Sequence, residues 1–132
     1  MIVADTHALI WQLNGDVRVG RRARARLESA LVCQELCVSA ILFWEVALLA
    51  VRHRLRLDGS ASQFRRRVLQ MGIRELPVTG EIAVEAAGLV SVLVDPVDCF
   101  MAATARSQQA TLLTADERLL GGGVVDVLDA RR

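Results

Sequence analysis

Short apolar runs alternate along this chain with longer segments of helical periodicity. Five runs have the length and apolar character of buried strands; they are residues 2–4, 36–38, 74–78, 111–113 and 124–128. The proline at position 77 predicts that the third strand lies near an edge, because proline cannot donate to a β-ladder. Uninterrupted apolar strands separated by helices are typical of a parallel sheet that is covered on both faces.

The segments between the strands have the character of helices. Helices are predicted at 6–13, 20–31, 40–52, 60–69, 81–89, 96–106 and 116–120. Ser60 with Gln63, and Thr114 with Glu117, have the spacing of a capping box. The segment 40–52 is apolar on nearly every side, so we expect this helix to be mostly buried. The whole pattern predicts one domain over residues 1–132, a three-layer α/β/α fold around a central parallel sheet of about five short strands.

The composition agrees with a globular domain and points to no partner by charge. The chain has 132 residues, of which 53% are hydrophobic and 23% charged, and its formal net charge is +1. No apolar run approaches the roughly 18–20 residues that a membrane span requires. An acid at position 5 interrupts the first apolar run, so we expect neither a membrane span nor a secretory leader.

Two residue types are absent, and their absence excludes several classes of function. All 16 basic residues are arginine, so no lysine can serve a Schiff base, a P-loop or a phospho-accepting receiver domain. Tyrosine is also absent, and aromatic residues make up only 4% of the chain. We therefore do not expect a base-stacking platform of the single-strand-binding kind, and we expect Trp11 and Trp44 in the core or at a dimer contact.

The cysteines are an odd number and lack the partners of a zinc site. They are Cys33, Cys37 and Cys99, and the chain has only two histidines. A structural zinc site needs four ligands at characteristic spacing. We interpret the three cysteines as buried, reduced thiols, which predicts a cytoplasmic location.

Several acidic residues lie where strands end or helices begin. Asp5 directly follows the first strand, Asp116 follows the fourth by two residues, and Asp98 lies at the start of a helix. Glu45 interrupts an apolar stretch, where burying an unpaired carboxylate is unfavourable. The carboxyl ends of parallel strands are where ligand sites form. Carboxylates that meet there repel one another, and a hard divalent cation such as Mg²⁺ or Mn²⁺ removes that conflict.

Each of these acids also has a purely structural interpretation. Asp5, Asp95 and Asp116 stand where a carboxylate caps a helix, and Asp98 stands where an acid complements the helix dipole. A salt bridge to one of the arginines is the alternative for Glu45. The residues by themselves therefore indicate a metal-dependent phosphotransfer enzyme, with ligand and cap both open at single positions.

Four segments of the chain resemble the four acidic blocks of the PIN-domain ribonucleases, in the same order. They are residues 5–11, 39–49, 95–105 and 112–116, and they are most similar to the branch of VapC-type toxins from bacterial toxin–antitoxin pairs. Members of that family cleave RNA. In them, a Mg²⁺ or Mn²⁺ ion is surrounded by the acids that match Asp5, Glu45, Asp98 and Asp116. The resemblance implies that Asp5, Asp98 and Asp116 hold the ion and that Glu45 tunes or shares it.

The resemblance also implies partners. It implies an RNA substrate, a cognate antitoxin protein and a homodimer in which the apolar third helix is a candidate contact. Arginine groups at 18–26, 52–56 and 65–67 suit an RNA backbone held over an acidic pocket. A nuclease of RNA maturation, or a non-catalytic binding module that keeps the fold, are the alternatives.

The chain departs from the branch at two positions beside the third acid. Cys99 stands where arginine is common, and Val97 stands where phenylalanine is common. Neither change removes a carboxylate. We expect Cys99 to weaken a contact near the site.

Overall fold

Five short strands form the centre of the molecule, which a computed structural model describes over all 132 residues. The strands are β1 (Ile2–Ala4), β2 (Leu36–Ser39), β3 (Arg74–Leu76), β4 (Thr111–Thr114) and β5 (Val127–Asp129). All neighbouring strands are parallel, and their order across the sheet is β3-β2-β1-β4-β5. The third strand is therefore an edge strand, as the sequence predicts, although it ends at Leu76, directly before Pro77.

Seven helices flank this sheet and complete the predicted α/β/α architecture. They are α1 (Thr6–Leu13), α2 (Arg21–Val32), α3 (Ile41–Val51), α4 (Ala61–Gln70), α5 (Gly80–Ala87), α6 (Pro96–Ser107) and α7 (Glu117–Gly121). The capping box of α4 is present, since Ser60 and Gln63 exchange side-chain hydrogen bonds with each other's backbone. None of the helices combines the length and the apolar composition that crossing a membrane requires.

The register of the two central strands brings their following residues together. Ala4 of β1 is paired with Leu113 of β4, and the backbone N–H of Asp5 donates to the carbonyl of Leu113 at 3.0 Å. Helix α6 packs against β1 and β4. Ala102, Ala103 and Ala105 on this helix are completely buried, and their small side chains allow a close approach. This close packing places the first turn of α6 beside the carboxyl ends of the central strands.

Helix α3 is less buried than its apolar sequence predicts. Only Leu42 and Val46 are buried in it, while Trp44 is 55% exposed and Val51 is 75% exposed. An apolar sequence has no preferred face, and only one stripe of a helix on the surface of a sheet can contact the core. The expectation of a mostly buried helix is therefore wrong for this chain alone.

Two further expectations differ from the structure. The helix after β4 begins at Glu117 with Asp116 as its N-cap, so the capping box predicted for Thr114 and Glu117 is wrong. The Thr114 hydroxyl is instead used in contacts with two acidic residues, described below. Cys37 and Cys99 are buried as expected, whereas Cys33 is exposed because it lies just past the end of α2.

An acidic pocket at the carboxyl edge of the sheet

A cavity of about 260 Å³ opens where β1 and β4 end. We call it the acidic pocket, because its lining contains five carboxylates, those of Asp5, Glu45, Asp95, Asp98 and Asp116. The four acids named as candidates from the sequence thus come together from four separate segments. Asp95 is the fifth, and its surroundings differ from those of Asp98, as described below.

Asp5 is both a helix cap and a wall of the acidic pocket. Its side chain is 8% exposed. One carboxylate oxygen accepts from the backbone N–H of Ala8 at 2.9 Å, and the other accepts from the hydroxyl of Thr114. Burial raises the pKa of the Asp5 carboxyl, and the hydrogen bonds from Thr114 and Ala8 oppose that effect. Asp5 therefore caps α1 and lines the acidic pocket at the same time.

Thr114 connects the ends of the two central strands. Its hydroxyl donates to Asp5 and accepts from the backbone N–H of Asp116 at 3.0 Å. Asp116 in turn caps α7, with one oxygen accepting from the backbone N–H of Arg118 at 2.9 Å. A fully buried hydroxyl thus holds Asp5 and Asp116 in a fixed relation.

Asp95 and Asp98 lie three residues apart but have different surroundings. Asp95 is the N-cap of α6, and its carboxylate accepts from the backbone N–H of Val97 at 2.9 Å. Asp98 has one carboxylate oxygen, Oδ2, that is buried without a hydrogen-bond partner. Burial, followed by the negative charges of Asp116, Asp95 and Asp5, raises the pKa of Asp98 to about 7. The geometry therefore makes Asp95 the cap and leaves Asp98 free for a ligand.

Glu45 enters the acidic pocket from α3, where it is half-buried. None of the eight ion pairs of the chain includes it. The salt bridge that would have explained this carboxylate structurally is therefore absent. Its charge instead acts on Asp5, whose pKa it raises slightly.

The donors around the pocket fit a hard divalent cation in chemistry. Besides the unpartnered Oδ2 of Asp98, the hydroxyl of Thr6 is buried without a partner and lines the same cavity. Buried polar atoms without partners are rare in proteins, and oxygen donors are what Mg²⁺ and Mn²⁺ prefer. As placed, no three of the His, Cys, Asp and Glu side chains form a group that could hold a metal ion. The carboxylate of Asp116 is 35% exposed and has one oxygen in the cap of α7, whereas Asp5 is held at both oxygens.

Sequence reasoning missed two of the hydroxyls that shape this pocket. The sequence predicts only that Thr6 begins a helix, and the spacing of Thr114 and Glu117 predicts a helix cap for Thr114. A usable signal exists for Thr114, since it ends a strand two residues before an acid and its hydroxyl can reach the next strand. No comparable signal marks Thr6, because its unpartnered state depends on the fold around it.

Other residues singled out in the sequence lie at or away from the pocket. His7 is exposed on its rim, and Trp11 lines it while also packing against the core. Cys99 does not line the pocket; it is 1% exposed, and its thiol donates to the carbonyl of Leu93 at 2.9 Å. A substitution at this position therefore acts first on packing between α6 and the loop before it.

The comparisons with known proteins agree with this geometry. The family model described as "PIN domain" matches residues 2–121. Ribonuclease VapC22 of Mycobacterium tuberculosis is 29% identical over 119 residues, which cover 89% of this chain and 88% of that protein. Among solved structures, FitAB bound to an IR36 DNA fragment has a chain that is 25% identical, with a TM-score of 0.73 and coverage of 100% and 96%. A toxin–antitoxin complex from Klebsiella pneumoniae has a chain with a TM-score of 0.64 at 20% identity, with 98% of each chain covered.

Proposed function

The chain belongs to the PIN-domain family, and from that premise we propose that it is a metal-dependent endoribonuclease, the toxin of a type II toxin–antitoxin pair. The observation that carries the proposal is the meeting of Asp5, Glu45, Asp98 and Asp116 in one pocket. The relation to a VapC ribonuclease supports RNA as the substrate. Phosphodiester hydrolysis is the reaction for which clustered carboxylates with a divalent ion are suited.

Three carboxylates are proposed to hold the ion and a fourth to share or tune it. Asp5, Asp98 and Asp116 would bind Mg²⁺ or Mn²⁺, with Glu45 beside them. When bound, such an ion lowers the pKa of a coordinated water and offsets charge on the phosphodiester. The chain's own contribution is orientation: the N–H of Ala8 and the hydroxyl of Thr114 hold the carboxylate of Asp5 in place.

Removing the Thr114 hydroxyl is a direct test of that orientation. Thr114→Val leaves the buried oxygen of Asp5 without its donor, which is expected to cost about 1–3 kcal/mol of stability. Loss of a residue that orients a metal ligand typically lowers metal affinity or activity about 10–100-fold, so we expect RNA cleavage to fall by a similar factor. Thr114→Ser restores the hydroxyl and is expected to restore most of the activity. Cleavage rates and melting temperatures of both variants decide the matter; a Thr114→Val variant as active as wild type would contradict the orienting function.

The distribution of arginine supports a nucleic-acid substrate. Outside the four proposed site acids, basic residues outnumber acidic ones. Several arginines on α2 and after α3 take part in no ion pair; they are Arg21, Arg22, Arg26, Arg52, Arg54 and Arg56. Unpaired basic side chains around an acidic site allow binding of a phosphate backbone whose charge the acids alone would repel.

An apolar cleft supports a protein partner. Its volume is about 460 Å³, it lies between α1, α2 and α4, and its lining includes Leu9, Leu27 and Phe64. A groove of this kind suits the apolar face of a helix from another chain. We propose that a cognate antitoxin occupies it, and that an arginine of the antitoxin reaches the carboxylates of the acidic pocket. A chain of similar fold is part of a toxin–antitoxin complex, which supports an antitoxin as the kind of partner.

A second apolar surface supports a homodimer. On α3, Trp44 and Val51 are exposed, as is Val84 on α5. Val90, Val92 and Val94, in the segment after α5, are also at least half exposed. Large exposed apolar surfaces on small proteins typically mark protein contacts. For the same chain we propose a cytoplasmic location, where its three free thiols stay reduced.

The function is tested by expressing the chain with and without a small open reading frame found adjacent to its gene. Expression alone is expected to arrest growth, and the purified protein is expected to cleave RNA. Co-expression with the adjacent gene should relieve the arrest and yield a complex whose mass contains two copies of this chain. RNA cleavage without growth arrest would favour a nuclease of RNA maturation, and absence of cleavage would favour a non-catalytic module.

A further inference from the structure

Trp11 packs against the core and also lines the acidic pocket, a position that a purely structural residue does not require. It is the only tryptophan, tyrosine or phenylalanine among the residues that line the acidic pocket. It lies on α1 four residues after His7, which also lines that pocket, and residues four apart share a helix face. Helix α1 thus carries two rings that line the pocket, beginning two residues after Asp5.

The ring of Trp11 is held by a small network built on the turn after α1. The guanidinium carbon of Arg18 lies 4.4 Å from the ring centroid. Asp16 holds that guanidinium through two side-chain hydrogen bonds, of 3.1 and 2.6 Å. The backbone N–H of Asp16 donates to the carbonyl of Trp11 at 2.9 Å, which closes the network.

Gly15 allows the tight turn on which this network is built. Its φ is +62°, a left-handed conformation that favours glycine, and no heavy atom lies within 4 Å of an added Cβ. Glycine is therefore favoured here by its positive φ, and not by a lack of space for a side chain. The turn brings Asp16 and Arg18 back towards the ring, while the Arg18 side chain remains 60% exposed.

The proposed ion and the unpaired arginines act on the phosphates of an RNA strand, and neither supplies a contact to its bases. Stacking of a base on an aromatic ring supplies such a contact for any base. We propose that Trp11 stacks on the nucleobase next to the cleaved phosphodiester, with Arg18 as the positioning residue that fixes the ring. This inference rests on the proposed nuclease function and adds a base-binding residue to it.

Fluorescence can observe Trp11 alone, since the chain has two tryptophans and no tyrosine. In Trp44→Phe the only emitting indole is Trp11, and in Trp11→Phe it is Trp44. With Mg²⁺ present, each nucleoside 5′-monophosphate (AMP, GMP, CMP, UMP) is expected to quench Trp44→Phe saturably and to leave Trp11→Phe unchanged. Ribose 5-phosphate is the matched probe without a base, and it should produce no quenching.

Kinetics give a second readout that a purely structural function would not change. Trp11→Leu keeps apolar bulk without a ring, and it is expected to raise KM for RNA roughly 10–100-fold while kcat stays within a few-fold. Trp11→Phe keeps a ring and should restore KM to within a few-fold of wild type.

The outcomes separate this inference from the proposed function. Quenching by ribose 5-phosphate as strong as that by the nucleotides would overturn base stacking, since the ring would then sense only the phosphate. Cleavage of RNA with no quenching, or with the KM of wild type in Trp11→Leu, would overturn it as well. Absence of cleavage by the wild-type protein, together with base-dependent quenching, would refute the nuclease and leave Trp11 as a base contact.

Discussion

Asp98→Asn is expected to reduce RNA cleavage at least a hundredfold while making the metal-free protein more stable at neutral pH. Loss of a residue that merely supports a metal ligand already costs about 10–100-fold, so loss of a proposed ligand should cost more. The amide keeps the shape of the side chain but removes its charge. Repulsion from Asp116, Asp95 and Asp5, which contributes to the raised pKa of Asp98, is then relieved.

The pH dependence of this stabilisation has a definite sign. In the folded chain the pKa of Asp98 is about 7, against 3.8 for an unperturbed aspartate. The folded state therefore binds the proton more tightly, and this contribution to stability is complete below pH 4 and is lost as the pH rises through 7. In chelator, Asp98→Asn should melt several degrees above wild type at pH 8, with about 3–6 °C per kcal/mol for a chain of this size. The difference should nearly vanish at pH 4.

Asp95→Asn is the matched control, because it removes an equal charge three residues away. Asparagine caps helices about as well as aspartate, so cleavage should stay close to wild type. Any gain in stability should be smaller than that of Asp98→Asn, because Asp95→Asn removes only one of the three charges that act on Asp98. Asp95→Ala removes the hydrogen bond to Val97 and should cost about 0.5–2 kcal/mol. An inactive Asp95→Asn beside an active Asp98→Asn would exchange the two assignments. Two active variants would remove α6 from the site.

Removing divalent ions is expected to stop cleavage completely. Carboxylates that meet at close range repel one another unless a cation is present. Burial first, and then the charges of Asp116, Asp95 and Asp5, raise the pKa of Asp98. Excess chelator should therefore abolish activity, and added Mn²⁺ or Mg²⁺ should restore it. Undiminished cleavage in chelator would reject the metal mechanism.

A measurement of binding keeps this prediction independent of activity. Mn²⁺ that binds only the folded chain raises its melting temperature in proportion to the logarithm of its concentration. Wild type and Asp95→Asn are expected to show this rise, and Asp98→Asn is expected to show little of it. Equal rises in all three proteins would show that Asp98 is not a ligand.

The order of strands and helices could be predicted from the sequence because it depends on local properties. Apolar runs such as 2–4 and 111–113 are buried on both faces, and this burial suppresses the alternation that a half-exposed strand would have. Caps such as Ser60 with Gln63 are equally local. The acids at strand ends and helix starts were also visible in the sequence, but each of them could equally be a cap or a partner in a salt bridge. The choice of Asp5, Glu45, Asp98 and Asp116 came from the resemblance to PIN-domain ribonucleases.

What those local patterns could not decide is which partner each side chain meets. Thr114 has the spacing of a helix cap, but the register of β1 against β4 places its hydroxyl beside Asp5 and gives it another use. An apolar sequence predicts that α3 is buried, yet the number of neighbours around a helix is a property of the assembled fold. Asp95 and Asp98 are chemically identical, and only the packing of α6 on the sheet gives one a backbone partner and leaves an oxygen of the other without one. Trp11 was compatible with a core position, and the turn that returns Asp16 and Arg18 to it exists only in three dimensions. Composition and periodicity thus determine the layers of this protein, whereas contacts between residues distant in sequence determine its site, because hydrogen bonding and charge depend on distances that the tertiary structure sets.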